Sequence, residues 1–159
     1  MKIIRFSHMI RDEKLLQALS EIWLEYMIEN ETTIQKRYHV KNSNGEVNIT
    51  INKIKNVIKN LADSNSGVTI LLQKEKIIGF ITYHIISKVT AIITNIYIRK
   101  DFRGRGYGAI LLKDVEEYLM LKGIKELRLY AISNSSIHFF KKHNYVLNST
   151  GEIMTKIIV

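Results

Sequence analysis

The sequence contains no cysteine and no proline among its 159 residues. Without cysteine the chain has no disulfide framework, no thiolate metal site and no cysteine nucleophile. This composition is compatible with a reducing compartment, and we expect the protein in the cytoplasm. The absence of proline is unusual for a chain with several loops and carries no functional inference.

Long apolar runs are also missing. No segment approaches the roughly 20 apolar residues of a membrane span, and residues 1–6 lack the apolar stretch of a signal peptide. We therefore expect a soluble protein with no membrane partner. The length of 159 residues fits one domain over 1–159, long enough to bury a substantial core.

The chain is basic, with a formal net charge of +9. Clustered lysine and arginine would indicate nucleic-acid binding, but here the lysines are scattered through a chain rich in isoleucine, lysine and asparagine. A solvated surface explains most of this charge, so we do not expect a nucleic-acid partner. A positive field would still attract a polyanionic ligand.

Hydrophobic periodicity predicts an alternating order of elements. The predicted strands cover residues 2–6, 68–72, 77–86, 90–98, 125–131, 145–148 and 153–158. The predicted helices cover residues 12–30, 51–61 and 108–122, and a fourth is capped by Ser133 or Asn134. The resulting order is β-α-α-β-β-β-α-β-α-β-β, with the second to fourth strands joined closely like an antiparallel meander.

A glycine-rich loop, Arg103-Gly104-Arg105-Gly106-Tyr107-Gly108, joins the fourth strand to the third helix. The first turn of a helix leaves backbone N–H groups unpaired at the positive end of its dipole, and anions bind there. Glycines let the backbone approach a ligand closely, and the two arginines add positive charge. The loop could also be a plain connector, but its chemistry suits a diphosphate.

Two other phosphate-binding motifs do not fit. A dinucleotide fingerprint lies in the first strand-helix turn and needs an acidic residue about 20 positions later, where this chain has Arg128 and Leu129. A nucleoside-triphosphate loop needs Lys-Ser or Lys-Thr after the glycines, and neither follows here.

The loop resembles the acyl-CoA loop of the GNAT superfamily of N-acetyltransferases, [RQ]-x-x-G-x-[GA], which Arg103, Gly106 and Gly108 satisfy. The segment from Asn134 to Tyr145 is similar to the family's late helix, N-x-x-[AS]-I-x-[FL]-[YF]-x-K-x-G-[FY]. The resemblance implies an α/β (α+β) GNAT fold, with a mixed central sheet of about six to seven strands flanked by four helices.

The resemblance also implies acetyl-CoA as co-substrate, with no metal. Backbone groups of Ile96, Tyr97 and Ile98 would bind the pantetheine arm as an added strand would, and the loop would hold the diphosphate. The expected coenzyme-binding residues are Ile96, Tyr97, Ile98, Arg103, Gly104, Arg105, Gly106, Tyr107, Gly108, Ala109, Ser133, Asn134 and Lys142. For Lys142 an ordinary surface role is the simpler interpretation.

The implied reaction is direct attack of an amine on the thioester, which requires proton transfer. Many members of the family have an acidic residue on the strand before the loop and a tyrosine in the late helix, but this chain has no carboxylate over 92–95 and carries Phe140 at the tyrosine position. The catalytic residues are therefore left open. The candidates for proton transfer are Thr94, Asn95, His84, Tyr145 and Tyr97.

The acceptor is expected to be a small amine or a protein amine, and a polyamine is disfavoured. The first two helices and their loop would build its site. Residues of that region that could line a pocket or face the acceptor are Trp23, Tyr26, Tyr38, His39, Glu25 and Glu29, although aromatic helix stripes are more often core and exposed carboxylates more often solvated.

Two other functions are kept open: an acyl-CoA-binding sensor that has lost catalysis, and nucleic-acid binding through the arginine-glycine segment. A homodimer is left open as well.

Overall fold

A seven-stranded mixed sheet organises the chain, of which the computed structural model describes residues 1–6, 12–30, 50–61, 65–130 and 133–159. The strands are β1 (Lys2–Phe6), β2 (Ser66–Gln73), β3 (Lys76–Ile85), β4 (Thr90–Ile98), β5 (Glu126–Tyr130), β6 (Val146–Leu147) and β7 (Ile153–Ile157). The α-helices of the described ranges are α1 (Glu13–Glu29), α2 (Ile51–Leu61), α3 (Tyr107–Leu121) and α4 (Asn134–Lys142), with a 3-10 turn over Lys100–Phe102. The fold class is confirmed, and the elements within the described ranges follow the predicted order.

The strands lie in the order β1-β2-β3-β4-β5-β7-β6. β4 and β5 run parallel, and the other neighbouring pairs are antiparallel. The parallel pair requires a crossover, which α3 provides. β2 begins at Ser66, two residues before the predicted start; a Cβ at Gly67 would overlap the ring of Tyr83, so the bare glycine lets that ring lie against the strand.

Each face of the sheet carries its own core, because alternate strand residues point to opposite sides. On one side α1 and α2 pack on the sheet, and Trp23 stacks on Phe80 of β3 with 4.8 Å between ring centroids. On the other side α3 buries Leu111, Leu112 and Val115 against β3, β4 and β5. The side chain of Asp12 caps the N-terminus of α1, since its Oδ1 accepts hydrogen bonds from the backbone amides of Lys14 and Leu15. None of the helices in the described ranges has the length and apolar content that a membrane crossing requires.

β4 loses its β5 neighbour halfway along its length. The parallel pairing runs only from Thr90 opposite Glu126 to Ile93 opposite Leu129. The pairing of β4 with β3 shifts at the same point, since Tyr83 faces Ile93 and Thr82 faces Asn95, which leaves Thr94 as the bulged residue. A bulge bends its strand and increases its twist. The second half of β4 therefore separates from β5 and leaves one strand edge without a strand partner in the described sheet.

α4 ends at an asparagine in the left-handed conformation. Asn144 has φ of +66°, and the amides of His143 and Tyr145 both donate to the carbonyl of Phe140. Asparagine adopts this conformation more readily than other non-glycine residues, which explains why it occupies the glycine position of the late-helix motif.

We expect the stability of the fold to decrease from glycine to asparagine to alanine at position 144. Asn144→Gly relieves the left-handed strain and should stabilise the fold by about 0.5 kcal/mol, whereas Asn144→Ala should cost about 1 kcal/mol. Urea unfolding of the three proteins measures the order. An alanine variant as stable as the glycine variant would contradict the strain.

Candidate functional site

A cleft of about 650 Å³ opens where β4 and β5 separate. Its walls come from the end of α1, the second half of β4, the glycine loop with the first turn of α3, the end of β5 and the helix α4. The lining residues are Tyr26, Glu29, Asn30, 93–98, 102–104, 106–109, Leu129, Tyr130, Ser133, Ser135, Ser136, Phe139, Phe140 and His143.

The glycine loop presents backbone amides to this cleft. Gly104 and Gly106 have φ of +72° and +80°, and a Cβ built on either would meet no atom within 4 Å. α3 has no side-chain cap, and its first helical bond is donated by Ile110 to the carbonyl of Gly106. The amides of Tyr107, Gly108 and Ala109 precede that bond, so the helix supplies no acceptor for them. These groups form an anion-receptive surface at the positive end of the helix dipole.

The unpaired edge of β4 presents the backbone of two residues. The amide of Arg99 donates to the carbonyl of Ile78 on β3 at 2.9 Å, and consecutive strand residues turn their backbone groups to opposite sides. Ile98 and Ile96 therefore turn their N–H and C=O groups toward the cleft, whereas Tyr97 turns its own toward β3. The carbonyl of Ile98 accepts a 2.8 Å hydrogen bond from Nε of Arg103.

The side chain of Arg103 is directed to α1. Its Nη1 and Nη2 lie 2.6 and 2.8 Å from the two carboxylate oxygens of Glu29, the last residue of α1. The hydroxyl of Tyr97 donates to the same carboxylate at 3.0 Å, and the guanidinium lies 5.4 Å from the centre of the Tyr97 ring. Glu29, Tyr97 and Arg103, which we call the Glu29 cluster, thus join α1, β4 and the loop.

The Glu29 cluster shifts the ionisation of all three groups. The hydrogen bonds from Arg103 lower the pKa of Glu29, and the carboxylate raises the pKa of Arg103. Burial, together with the neighbouring carboxylate, raises the pKa of Tyr97 to about 12. A carboxylate at a helix C-terminus opposes the dipole, so the guanidinium compensates an otherwise unfavourable position. One turn earlier, Glu25 forms a separate 2.6 Å pair with Arg99.

A chain of neutral polar side chains runs from α1 to the bulge in β4. The hydroxyl of Tyr26 donates to Oδ1 of Asn95 at 2.7 Å, and Nδ2 of Asn95 donates to Oγ1 of Thr82 at 2.9 Å. Oγ1 of Thr82 lies 2.6 Å from Oγ1 of Thr94, with either as donor. An amide and three hydroxyls can orient a water or a substrate, but they do not act as a strong base near neutral pH.

The structure brings most of the predicted coenzyme residues into one cleft. The members that line it are Ile96, Tyr97, Ile98, Arg103, Gly104, Gly106, Tyr107, Gly108, Ala109 and Ser133, together with the catalytic candidates Thr94 and Asn95. Arg105, Asn134 and Lys142 are exposed and do not line it.

Two catalytic candidates lie away from the cleft. Tyr145 is buried, and its hydroxyl donates to Oε1 of Glu116 at 2.9 Å, while Lys156 donates to the other oxygen of that carboxylate. Burial and the Glu116 charge raise the pKa of Tyr145 far above its usual value. His84 is exposed on β3, with its Nδ1 2.6 Å from Oγ of Ser66. Neither His84 nor Tyr145 lines the cleft, so we do not propose either residue for proton transfer there.

Of the residues expected near the acceptor, some line the cleft and others do not. Tyr26 lines the cleft, whereas Trp23 is 6% exposed in the core. Glu25 and Glu29 both pair with arginines rather than standing free in solvent. Tyr38 and His39 lie outside the described residues.

The sequence interpretation placed Ser133 at the site but missed Phe139 and His143, which complete the α4 wall of the cleft. Phe139 and His143 lie one turn apart with their ring centres 4.8 Å from each other, and both line the cleft. The spacing of four residues on one helix face was the available signal. A Cβ at Gly108 would lie 3.4 Å from the Phe139 ring, so the loop and α4 are in close contact.

Residues 16–145 match the model of the Acetyltransferase (GNAT) family. The chain belongs to that family. No protein of curated function matches the sequence. The glycine loop and the cleft are therefore those of a GNAT protein, and the comparisons with curated proteins leave its acceptor open.

Solved structures show the same fold at low sequence identity. GCN5 of Tetrahymena aligns over 100% of this chain and 97% of its own, with 17% identity and a TM-score of 0.69. The PaiA N-acetyltransferase of Thermoplasma acidophilum, solved with coenzyme A, aligns over 99% and 100%, with 22% identity and a TM-score of 0.65. An aminoglycoside 6'-N-acetyltransferase complexed with coenzyme A aligns over 100% and 98%, with 12% identity and a TM-score of 0.69. At these identities the likeness establishes the fold of this GNAT protein and leaves its acceptor open.

The Tyr145 hydroxyl should matter for stability and not for ligand binding. Tyr145→Phe leaves one oxygen of the nearly buried Glu116 carboxylate without its donor, so we expect a loss of about 1–2 kcal/mol in the free energy of unfolding. Urea unfolding measures that loss, and calorimetry with acetyl-CoA should give the wild-type affinity. A weakened affinity at unchanged stability would return Tyr145 to the site.

The Glu29 cluster predicts a pH dependence of stability. Because the folded-state pKa of Glu29 is lowered from its ordinary value of 4.5, its contribution is present above that value and is lost as the pH falls through the folded-state pKa. The stability difference between wild type and Glu29→Gln should stay below about 1 kcal/mol, because water still reaches both side chains of this partly buried pair, and it should shrink on acidification. Arg103→Gln should show the same loss, and a difference that grows in acid would contradict the pairing.

Proposed function

We propose that this GNAT protein transfers the acetyl group of acetyl-CoA to a primary amine of a small molecule or a protein, in the cytoplasm and as a single domain. The observation that carries the proposal is the meeting of two features in one cleft. An anion-receptive helix start and an unpaired strand edge lie side by side, which suits a ligand with a diphosphate at one end and an amide-bearing arm at the other.

The described residues fit acetyl-CoA in an extended arrangement. The amides from Gly104 to Ala109 would receive the diphosphate, because glycines expose the backbone there. The cleft-facing backbone of Ile96 and Ile98 would bind the pantetheine amides as a neighbouring strand would. Ser133, which caps α4, stands on the opposite wall. Arg105, Asn134 and Lys142 are proposed for the outer, nucleotide end.

The proposed reaction is direct transfer between two bound substrates. The amine nitrogen attacks the thioester carbonyl, a C–N bond forms, the C–S bond breaks, and the thiolate leaves with the coenzyme. A primary amine is only about one part in two thousand neutral at pH 7, which costs roughly 4–5 kcal/mol unless the site removes its proton. Thr94 and Asn95 lie at the bulge beside the strand edge, where they can orient a water that carries this proton away.

A second function, an acyl-CoA sensor without catalysis, is favoured by one specific observation. The polar chain from Tyr26 to Thr94 contains no carboxylate, and Phe140, 4% exposed, has no hydroxyl to protonate the leaving thiolate. The two functions share the coenzyme site and differ in turnover alone.

The test combines binding with turnover. Calorimetry with acetyl-CoA, with desulfo-CoA and ADP as controls, should show micromolar binding, and thiol release should then be measured against a panel of amines, amino acids, aminoglycosides and peptide N-termini. Amine-dependent thiol release supports the transferase, and tight binding without release supports the sensor. No binding by a folded protein would overturn the coenzyme site.

Position 106 offers a matched pair of variants for the diphosphate contact. Asp and Asn both tolerate positive φ better than other side chains do, and they differ in charge. Gly106→Asp places a carboxylate beside the phosphate position and should weaken acetyl-CoA binding at least tenfold more than Gly106→Asn does. Calorimetry on both variants measures the ratio, and equal affinities would place the diphosphate elsewhere.

A further inference from the structure

Glu29 lines the cleft at the end of α1, yet the proposed coenzyme site assigns it no role. Its carboxylate accepts hydrogen bonds from Nη1 and Nη2 of Arg103 and from the hydroxyl of Tyr97. Its side chain is 24% exposed, so water reaches it only in part. A partly buried carboxylate at a helix C-terminus depends on a nearby positive charge.

Arg103 supplies this charge, and in doing so it is hydrogen-bonded within the site that the coenzyme would occupy. Nε of Arg103 holds the carbonyl of Ile98, which belongs to the strand edge proposed for the pantetheine arm. The guanidinium of the same residue, at the start of the glycine loop, is bound to Glu29 instead of facing the proposed diphosphate position. Pantetheine and diphosphate would therefore both draw Arg103 away from its present contacts.

We propose that Glu29 is a coenzyme-dependent binding site for the cationic amine of the acceptor. When acetyl-CoA binds, Arg103 turns to the diphosphate and releases Ile98 and Glu29. The carboxylate then retains the neutral Tyr97 hydroxyl and lacks a cation. The acceptor's ammonium group replaces the guanidinium, which places the acceptor beside β4 only after the coenzyme is bound. The nitrogen attacks the thioester in its neutral form, after the ammonium has given its proton to water. This inference rests on the proposed coenzyme site.

The chain contains a matched control for this site. Glu25 lies one turn earlier on α1 and pairs with Arg99 at 2.6 Å, close to the 2.6 Å of the Glu29 pair. Glu25→Gln removes the same charge from the same helix, but neither Glu25 nor Arg99 lines the cleft. A general effect of helix charge would therefore appear in both variants, and release of Arg103 would appear in Glu29→Gln alone.

The first measurement is calorimetric titration of the folded variants with desulfo-CoA. Glu29→Gln should bind about fivefold more tightly than wild type, because no ion pair has to be broken, whereas Glu25→Gln should bind as wild type does. The gain should vanish in the double variant Glu29→Gln/Arg103→Gln when it is compared with Arg103→Gln. Equal desulfo-CoA affinities in wild type and Glu29→Gln, or a gain in affinity that persists without Arg103, would show that the coenzyme does not release Arg103 from Glu29.

The second measurement detects the cation site with n-butylamine, which carries an ammonium group and little else, and with n-butanol as its neutral counterpart. Amide NMR shifts around residue 29 should saturate with n-butylamine in desulfo-CoA-loaded wild type and Glu25→Gln. They should be absent without the coenzyme, absent in Glu29→Gln, and absent with n-butanol. Shifts that do not require desulfo-CoA, or that persist in Glu29→Gln, would overturn the site.

The two proposals fail in distinguishable ways. If wild type binds neither acetyl-CoA nor desulfo-CoA, the proposed function itself is wrong. If wild type binds the coenzyme and releases thiol with amines, but Glu29→Gln and Glu25→Gln behave alike in both measurements, the Glu29 cluster is a structural brace and the inference about the acceptor is wrong.

Discussion

The site depends on the loss of one strand pairing. β4 and β5 stay together for four residue pairs and then part at Ile93 and Leu129, where the bulge at Thr94 bends β4. Backbone N–H and C=O groups have to be paired or solvated, so the second half of β4 is a strand edge ready for a ligand. The loop and α3 follow directly from that edge, which places the helix N-terminus at one end of the same cleft.

Local patterns in the sequence were sufficient to predict the order of the helices and strands. Amphipathic spacing placed α1, α2 and α3, and the glycines between β4 and α3 identified the loop. The length of the β4–β5 pairing could not be predicted, because it depends on contacts between Thr90–Ile98 and Glu126–Tyr130, which are far apart in the sequence. The positions of His84 and Tyr145 outside the cleft could not be predicted for the same reason: residue type made them candidates for proton transfer, but strand register and burial decide which cavity a side chain reaches.

The Glu29 cluster shows that ion pairs between residues far apart in the sequence can be reflected in the local spacing of the charged residues. Glu25 and Glu29 are four residues apart on α1, and Arg99 and Arg103 are four residues apart around the 3-10 turn. The matching intervals would have suggested two parallel ion pairs. Choosing between these pairs and solvated charges still required the fold, since exposed carboxylates gain little from an arginine unless packing fixes the geometry. Tyr97 fixes it here by contacting both partners.

The charge balance in the cleft connects the Glu29 cluster with the proposed function. Among the described lining residues Glu29 is the carboxylate and Arg103 the guanidinium, and they neutralise each other, while the Tyr26–Asn95–Thr82–Thr94 chain is neutral. A cleft of this kind attracts neither a free cation nor a free anion strongly. A diphosphate on the loop would break that balance by attracting Arg103, and the negative charge left at Glu29 would bind the acceptor as an ammonium, which then has to lose its proton before the nitrogen attacks. The coenzyme would thus supply, through one arginine, the acidic character that β4 lacks in its own sequence.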